Sequence, residues 1–464
     1  MAGGAMAATV LPRAAGKERP RTHRPKKVII AGGGIGGLCC GYELMMRGHD
    51  VTLLEAAGRA GGHVRTLHDP LADGLYADVG AEHFTKPGYD LFWGYVREFN
   101  LTALYYPHRE NVIRLFKGKM YTEADLSNPT VLARFGFNQR EIEYLTGHPW
   151  WDLASLYLKP YLDNFHDEYK PFDAGLNQLD QISFTDLLKK DGATGAALAH
   201  IGNDGSALHV LWHAAILKIR GVPLAPPMVY RLKGGNQLLP DTFAAKLGER
   251  VHLGVPVTGI ERGDTGVRVR YREAGGEKTM DGDYLVCCTN ALVLRQFPVT
   301  PAWPESKTYA LNTVAYDMYS RVAFQSRSPF WERDKVSPNW EGADPNLREM
   351  WRMAEEVDTS RAILVATATN SATANDSLQA LRRVYPGKSE DIEQAVIQTW
   401  AHEPWAMACE TVTYRPGDLT KMWPALMEPV GRVHFAGAYT DNLNWGQEAA
   451  TRSANRVAET IDKA

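Results

Sequence analysis

The residues best placed to do chemistry in this chain sit beside glycine. Gly32-Gly33-Gly34-Ile35-Gly36-Gly37 fits G-x-G-x-x-G at Gly32, Gly34 and Gly37. In such a turn the first glycine permits a tight reversal, the second lets backbone approach a pyrophosphate, and the third lets helix pack on strand. The N–H groups at the following helix N-terminus then face the phosphates. Glu55 ends the next strand, where a carboxylate accepts hydrogen bonds from ribose hydroxyls and disfavours a 2′-phosphate. This order predicts a dinucleotide site.

A second glycine turn, Arg59-Ala60-Gly61-Gly62-His63-Val64-Arg65-Thr66, comes just after Glu55. A second basic turn suits a ligand whose pyrophosphate continues into a further polar chain. Asp78-Val79-Gly80-Ala81-Glu82 adds another close-approach glycine. Downstream, Arg432-Val433-His434-Phe435-Ala436-Gly437 reads as a strand ending in glycine. It leads to Trp445-Gly446-Gln447-Glu448-Ala449-Ala450, which opens a helix predicted over Ala449 to Ile461. That helix N-terminus can stabilise negative charge developing on a flavin ring. Together these features favour FAD over NAD.

The elements that must position these residues are legible. Val28 to Ala31 is a short apolar run and reads as a buried strand. Leu38 to Arg47 reads as a helix with Leu38, Tyr42 and Met45 on its apolar face and Gly48 as its stop. Asp50 to Leu54 is the second strand. Val251 to Val257 and Thr265 to Arg272 show strand-like alternation, and Tyr284 to Cys288 is a further short apolar run. Residues 130–220 suit helices.

Composition narrows the function classes. The chain has 464 residues and a formal net charge of −3, with 51 basic and 54 acidic side chains. That balance offers no electrostatic reason to expect nucleic acid or an anionic membrane as partner. Hydrophobic residues at 44% exclude a disordered chain. The 5 cysteines, Cys39-Cys40, Cys287-Cys288 and Cys409, make no disulfide-dense scaffold and lack metal-ligand spacing. His209 and His213 are spaced to share a helix face but have no evident third ligand, so no metal is expected. Trp150-Trp151 and Tyr105-Tyr106 read as core or pocket-wall aromatics. No apolar run is long enough to span a bilayer. Residues 1–25 read as a disordered leader, with a truncated export signal as the alternative. The fold is expected to start at Lys26.

From Lys26 onward the sequence resembles the flavin-containing amine oxidase family, which includes monoamine, polyamine and L-amino-acid oxidases. The resemblance rests on the GGGIGG turn, Glu55, the R-x-G-G turn and Lys233-Gly234-Gly235-Asn236-Gln237-Leu238-Leu239-Pro240. It extends through Pro256-Val257, Ser328-Pro329-Phe330-Trp331, Trp400, Arg415-Pro416-Gly417 and Phe435-Ala436-Gly437. It implies an α/β fold: a Rossmann-like FAD-binding domain over 26–86, 226–298 and 405–464, interleaved with an α+β substrate-binding domain over 87–225 and 299–404. For FAD it implies Gly32, Gly34, Ile35, Gly36 and Gly37, then Glu55, Ala56 and Arg59. The second turn adds Gly61, Gly62, His63, Val64 and Arg65, and the next glycine adds Gly80, Ala81 and Glu82. Val257, Trp400, Gly437, Ala438, Gly446, Gln447 and Ala450 complete that set. For substrate it implies His83, Trp405, Glu410 and Trp445.

The sequence departs from the family pattern at four places. Arg321 stands where the family usually has a lysine that holds a water near flavin N5, and it is the expected catalytic residue. Arginine keeps the charge but cannot act as a base. Cys409 matches a position that is bonded to the flavin in monoamine oxidases, and Glu410 replaces the aromatic that follows it. A carboxylate there would favour a cationic group. Trp445-Gly446 shifts the second pocket aromatic by one position. His83 lies where animal L-amino-acid oxidases carry an arginine near here that binds the substrate carboxylate, and Arg109 or Arg114 could take that task.

The implied function is FAD-dependent oxidation of an amine or L-amino acid to an imine, with oxygen reduced to hydrogen peroxide. The alternative is a dehydrogenase or desaturase with another acceptor, motivated by Arg321 and the broken aromatic pair. A flavin-bound scaffold with little catalysis is the third class, and the intact framework weighs against it. The implied partners are the small-molecule substrate and oxygen, with a homodimer compatible. The expected location is cytoplasmic, or periplasmic or secreted if the leader is an export signal.

Overall fold

The computed structural model describes residues 19–116, 118–224, 226, 228–408, 412–443 and 446–464. Its centre is a parallel sheet of five strands in the order Val251–Leu253, Asp50–Glu55, Lys27–Ala31, Tyr284–Cys287, Val433–Phe435. Parallel sheets need cover on both faces, and the first strand shows it. Val28 and Ile30 face a core shared with helices Ile35–Met46, Leu238–Leu247 and Gly446–Lys463. Ile29 and Ala31 face a second core with helix Ala207–Ile219 and an antiparallel sheet. The chain leaves Lys27–Ala31 toward one neighbour and returns on its other side at Tyr284–Cys287. That reversal opens a crevice at the strands' carboxyl ends, where α/β sheets bind ligands.

Three boundaries differ from the sequence reading. The first helix starts at Ile35, inside the glycine motif, rather than at Leu38. The last helix runs over Gly446–Lys463 and so begins before Ala449. The stretch Val251 to Val257 is not one strand. It breaks after Leu253 at Gly254, whose φ of +71° is the left-handed region, and a new strand, Val257–Arg262, joins a different sheet. Helices between Pro129 and Ile219 occupy the region read as helical. Among the described residues no helix is long and apolar enough to cross a membrane.

A seven-stranded sheet stands apart, in the order Ile392–Thr399, Tyr319–Ser326, Ala362–Thr369, Leu347–Met353, Trp340–Asp344, Ile113–Phe116, Lys119–Tyr121. One face is apolar and packs Val322, Phe324, Met350 and Ala366 with Leu381 of helix Ala374–Val384. The other face packs Ala323, Trp351 and Val365 against Tyr76, Ala77, Val79 and Tyr106. Across this second face runs a polar row. Gln398, Arg321, Thr367, Glu349, Glu341 and Arg114 are successive cross-strand partners. Directly opposed residues share a face of a sheet, so the row is continuous.

The packed chain also extends upstream of Lys26. Glu43 is fully buried in the first helix and must be paired. Arg19 supplies a partner at 2.7 Å and also reaches Glu98 at 2.9 Å, while Arg47 lies 2.6 Å from Glu43. Burial alone would raise the Glu43 pKa, but Arg19, the Tyr95 hydroxyl and Arg47 outweigh it and bring it to about 2. Its unfolded value is higher, so ionised Glu43 adds stability above that value and loses it as pH falls through the folded one. Arg19→Ala is expected to cost about 3 kcal/mol near neutral pH. In denaturant titrations, the gap between wild type and variant should narrow from pH 5 to pH 3.

Candidate active site

The glycine turn is shaped by close backbone approach. Gly32 has φ +106°, and a Cβ there would lie 3.0 Å from the Cys288 backbone. A Cβ at Gly37 would lie 1.9 Å from the Gly32 carbonyl oxygen, so no side chain fits. Glu55 closes the turn. Its carboxylate accepts from the Gly33 N–H at 2.5 Å and from the Ala57 N–H at 2.7 Å. Burial nevertheless raises its pKa, opposed by those backbone donors and by Arg59. The second glycine turn docks on the first through Gly61 N–H to Gly33 O at 2.8 Å. Arg59 holds its shape by donating to Gly62 O at 2.6 Å.

These turns line a cleft enclosing 1310 Å³, part of it open to solvent. Gly32, Gly34, Ile35, Gly36, Glu55, Ala56, Arg59, Gly61, Gly62, His63, Val64, Ala81 and Val257 all line it. So do Gly437, Ala438, Gly446, Gln447 and Ala450, together with Trp405. The open end of the last helix therefore faces the same space as the glycine turns.

Other expected residues stand behind the wall. Gly37 packs helix on strand. A Cβ at Gly80 would lie 1.9 Å from His63 O and 3.1 Å from the Trp400 ring. Trp400 donates to Val79 O at 2.7 Å and stacks on His63 at 3.9 Å between centroids. Arg65 donates to Gln398 at 2.6 Å and to Glu403 at 3.0 Å. Cys409, Glu410 and Trp445 lie outside the described residues. The sequence reading missed Cys288, Thr289 and Asn290, which line the cleft where Tyr284–Cys287 ends. Their signal was available: they follow a buried strand beside the first one, at its carboxyl end.

Glu82, His83 and Arg321 are not among the residues that line the cleft; they belong to a charged cluster next to Ala81, which does line it. Arg321 lies between the Tyr319 and Trp351 rings at 4.9 and 4.8 Å. It donates to the Thr367 hydroxyl, and its Nη2 lies 3.5 Å from Glu82 Oε1. Glu82 Oε1 also lies 2.6 Å from His83 Nδ1. Burial would raise the Glu82 pKa, but His83, His108 and Arg321 bring it down to about 2, so it is an anion. Burial lowers His108 to about 3, so that ring is neutral. Burial raises the Glu349 pKa, Arg321 opposes that rise, and the Glu341 and Glu82 carboxylates add to it.

The two alternative carboxylate binders fare differently from expectation. Arg114 is committed to Glu123 and to Glu341 at 2.7 Å. Arg109 donates to Pro226 O at 2.5 Å. His209 packs 4.6 Å from the Tyr414 ring, and burial lowers His209 to about 3 and His213 to about 4. Both are packed neutral histidines. Trp150 and Tyr106 are buried, whereas Tyr105 is exposed.

Comparison with known proteins agrees with this geometry. The model of a family described as flavin containing amine oxidoreductase matches residues 35–462. The L-amino-acid oxidase of Daboia russelii is 25% identical over 467 residues, covering 96% of this chain and 90% of its own. That of Bothrops atrox is 25% identical over 464 residues, with the same shares, 96% and 90%. Wild-type putrescine oxidase bound to putrescine superposes with TM-score 0.79 at 19% identity, covering 95% of this chain and 100% of that one. Cyclohexylamine oxidase from Brevibacterium oxydans IH-35A gives TM-score 0.79 at 19% identity, covering 95% and 99%. The cofactor is FAD, and the side-chain-free cradle at Gly32, Gly34, Gly61 and Gly62 fits its pyrophosphate.

Glu55 is the ribose acceptor expected from its place at the strand end, and Glu55→Ala removes that carboxylate without adding bulk. It is expected to weaken FAD binding about 10- to 100-fold, the loss of one or two good hydrogen bonds. Flavin absorbance per chain after dialysis, followed by titration with FAD, measures it. Unchanged retention would place the ribose elsewhere.

Proposed function

The chain belongs to the flavin-containing amine oxidoreductase family, and from that premise we propose that it oxidises the C–N bond of a cationic amine, with oxygen reduced to hydrogen peroxide. Bound FAD supplies the hydride acceptor and the route to oxygen. The single observation that carries the substrate reading is the acidic part of the polar row. Glu349 and Glu341 oppose each other on the sheet face that holds Arg321, and Arg114 is already spent on Glu341. An ammonium group is attracted to such a surface, and a second carboxylate on the substrate is repelled. That favours an amine without an α-carboxylate over an L-amino acid, the substrate class named for the venom relatives.

Each residue has a task in this reading. The two glycine turns hold the pyrophosphate, and Glu55 holds the ribose. The N-terminus of helix Gly446–Lys463 directs its positive end at the cleft. The Tyr319 and Trp351 rings, Thr367 and Glu82 fix Arg321 in one place, so it orients charge and takes no proton. Residues 26–86, 226–298 and 405–464 form the cofactor unit, and residues 87–225 and 299–404 carry the substrate wall.

A second reading rests on Arg321 itself. Lysine can hold a mobile water, whereas this guanidinium is bonded through Nη1 to Thr367 and has Nη2 beside Glu82. Electrons would then pass to an acceptor other than oxygen.

Anaerobic flavin bleaching and aerobic peroxide release across monoamines, diamines and L-amino acids test both. Bleaching by amines with prompt peroxide release supports the oxidase. Bleaching followed by very slow reoxidation in air supports the second reading. Bleaching by amino acids alone overturns the substrate assignment. Glu349→Gln is expected to lower kcat/KM for cationic amines about tenfold, near 1.4 kcal/mol. Arg321→Lys should speed reoxidation about tenfold or more if arginine is what limits it. An unchanged reoxidation rate removes the second reading.

A further inference from the structure

We propose that Glu82, His83 and His108 form a binding site for a divalent first-row transition ion of the zinc or iron(II) type. One carboxylate oxygen of Glu82 and one ring nitrogen each of His83 and His108 lie within 4.8 Å of one another. Proximity alone would be weak. The second observation is that both ring nitrogens of His108 are buried without a hydrogen-bond partner, and so is Oε2 of Glu82. Each such atom is costly when left unmatched. A neutral imidazole has one lone-pair nitrogen, so His108 and Glu82 Oε2 each present a buried lone pair without a partner, and a cation accepts both.

The donors come from two segments whose backbones are separately pinned. Asn236 Nδ2 donates to Ala81 O at 3.1 Å, and Gln447 Nε2 donates to His83 O at 3.3 Å. The His108 N–H donates to Tyr106 O at 2.7 Å, and its ring rests 4.4 Å from that of Trp351. Neither segment must refold to bring the donors together.

The donor set selects the ion. Two imidazoles and one carboxylate suit zinc with an open fourth position, or iron(II) with open positions. Calcium and magnesium prefer all-oxygen shells. Donors around a tetrahedral zinc stand about 3.3 Å apart, from bonds near 2.0–2.1 Å. The Glu82–His83 hydrogen bond at 2.6 Å must therefore open. His83 is part-exposed and can rotate to do so. Arg321 opposes a cation, since its Nη2 lies 3.5 Å from Glu82 Oε1. Glu349 is within reach as its alternative counter-charge. Water or a donor atom of the substrate would complete the shell. The proposal does not depend on which substrate the enzyme oxidises.

The test uses the FAD-loaded enzyme without a histidine tag, stripped by a chelator and titrated with cobalt(II) or zinc(II). Expected are one equivalent bound per chain, a visible cobalt band typical of nitrogen and oxygen ligands, and affinity at least about 10-fold weaker in His108→Ala and Glu82→Gln. Retained flavin absorbance shows that each variant is folded. If His108→Ala loses flavin, His83→Asn at the part-exposed position gives the same readout. No stoichiometric binding to wild type overturns the proposal. So does binding that the folded variants leave unchanged.

Discussion

The contact between the Gly32 carbonyl and Gly37 sets what the rest of the molecule can do. A Cβ at Gly37 would sit 1.9 Å from that oxygen, so the helix meets the strand at backbone distance. This brings the helix N-terminus to the edge of the sheet and points its unpaired N–H groups into the crevice. Glu55 can then reach the Gly33 N–H, and the Gly61 N–H can reach the Gly33 carbonyl. Each later contact presupposes the first. The shape of the glycine turns is inherited from one forbidden side chain.

The substrate side is built on a different constraint. A sheet has two faces, and this one uses them unequally. The face toward helix Ala374–Val384 is apolar and supplies the packing. The other face gives part of its area to the row from Gln398 to Arg114, of which Gln398, Arg321, Thr367 and Arg114 are buried, and is therefore poorer in apolar packing. Trp351 shows how the two demands are combined. It is buried within an apolar cluster, yet its ring lies under the Arg321 guanidinium and beside His108. An aromatic face contributes area to the core and attracts a cation at the same time.

This division explains what could be read from the sequence. The glycine turns and Glu55 are local patterns whose residues are neighbours in sequence, and the last helix is a local pattern that joins them by packing on the first helix. Their spacing alone implied a cleft, and Gly32, Gly61, Gly437 and Gly446 do line one. The polar row is a product of strand register between distant segments. Nothing near Glu349 in sequence shows that it will stand beside Thr367 and two strands from Arg321. His108 was silent for the same reason, since its partners Glu82 and His83 lie on another segment. The break at Gly254 was hidden because alternation continues through it, and only the backbone sign at that glycine separates two sheets. Arg321 was visible as a departure from family pattern, but not its setting.

That setting makes the arginine more than a substitution. A lysine at this strand position could swing its ammonium group and carry a water. The guanidinium instead lies 4.9 Å from the Tyr319 ring centroid and 4.8 Å from that of Trp351, with Nη1 on Thr367 and Nη2 beside Glu82. Such a group is held by stacking as much as by charge, and a lysine could not use the same cage. Glu82 in turn stays anionic partly because Arg321 is near. The change from lysine to arginine is thus tied to Glu82, Tyr319, Trp351 and Thr367 as a set. Reverting Arg321 alone leaves Glu82, Tyr319, Trp351 and Thr367 in place around the new lysine, so the reoxidation rate of that variant reads the arginine's own contribution.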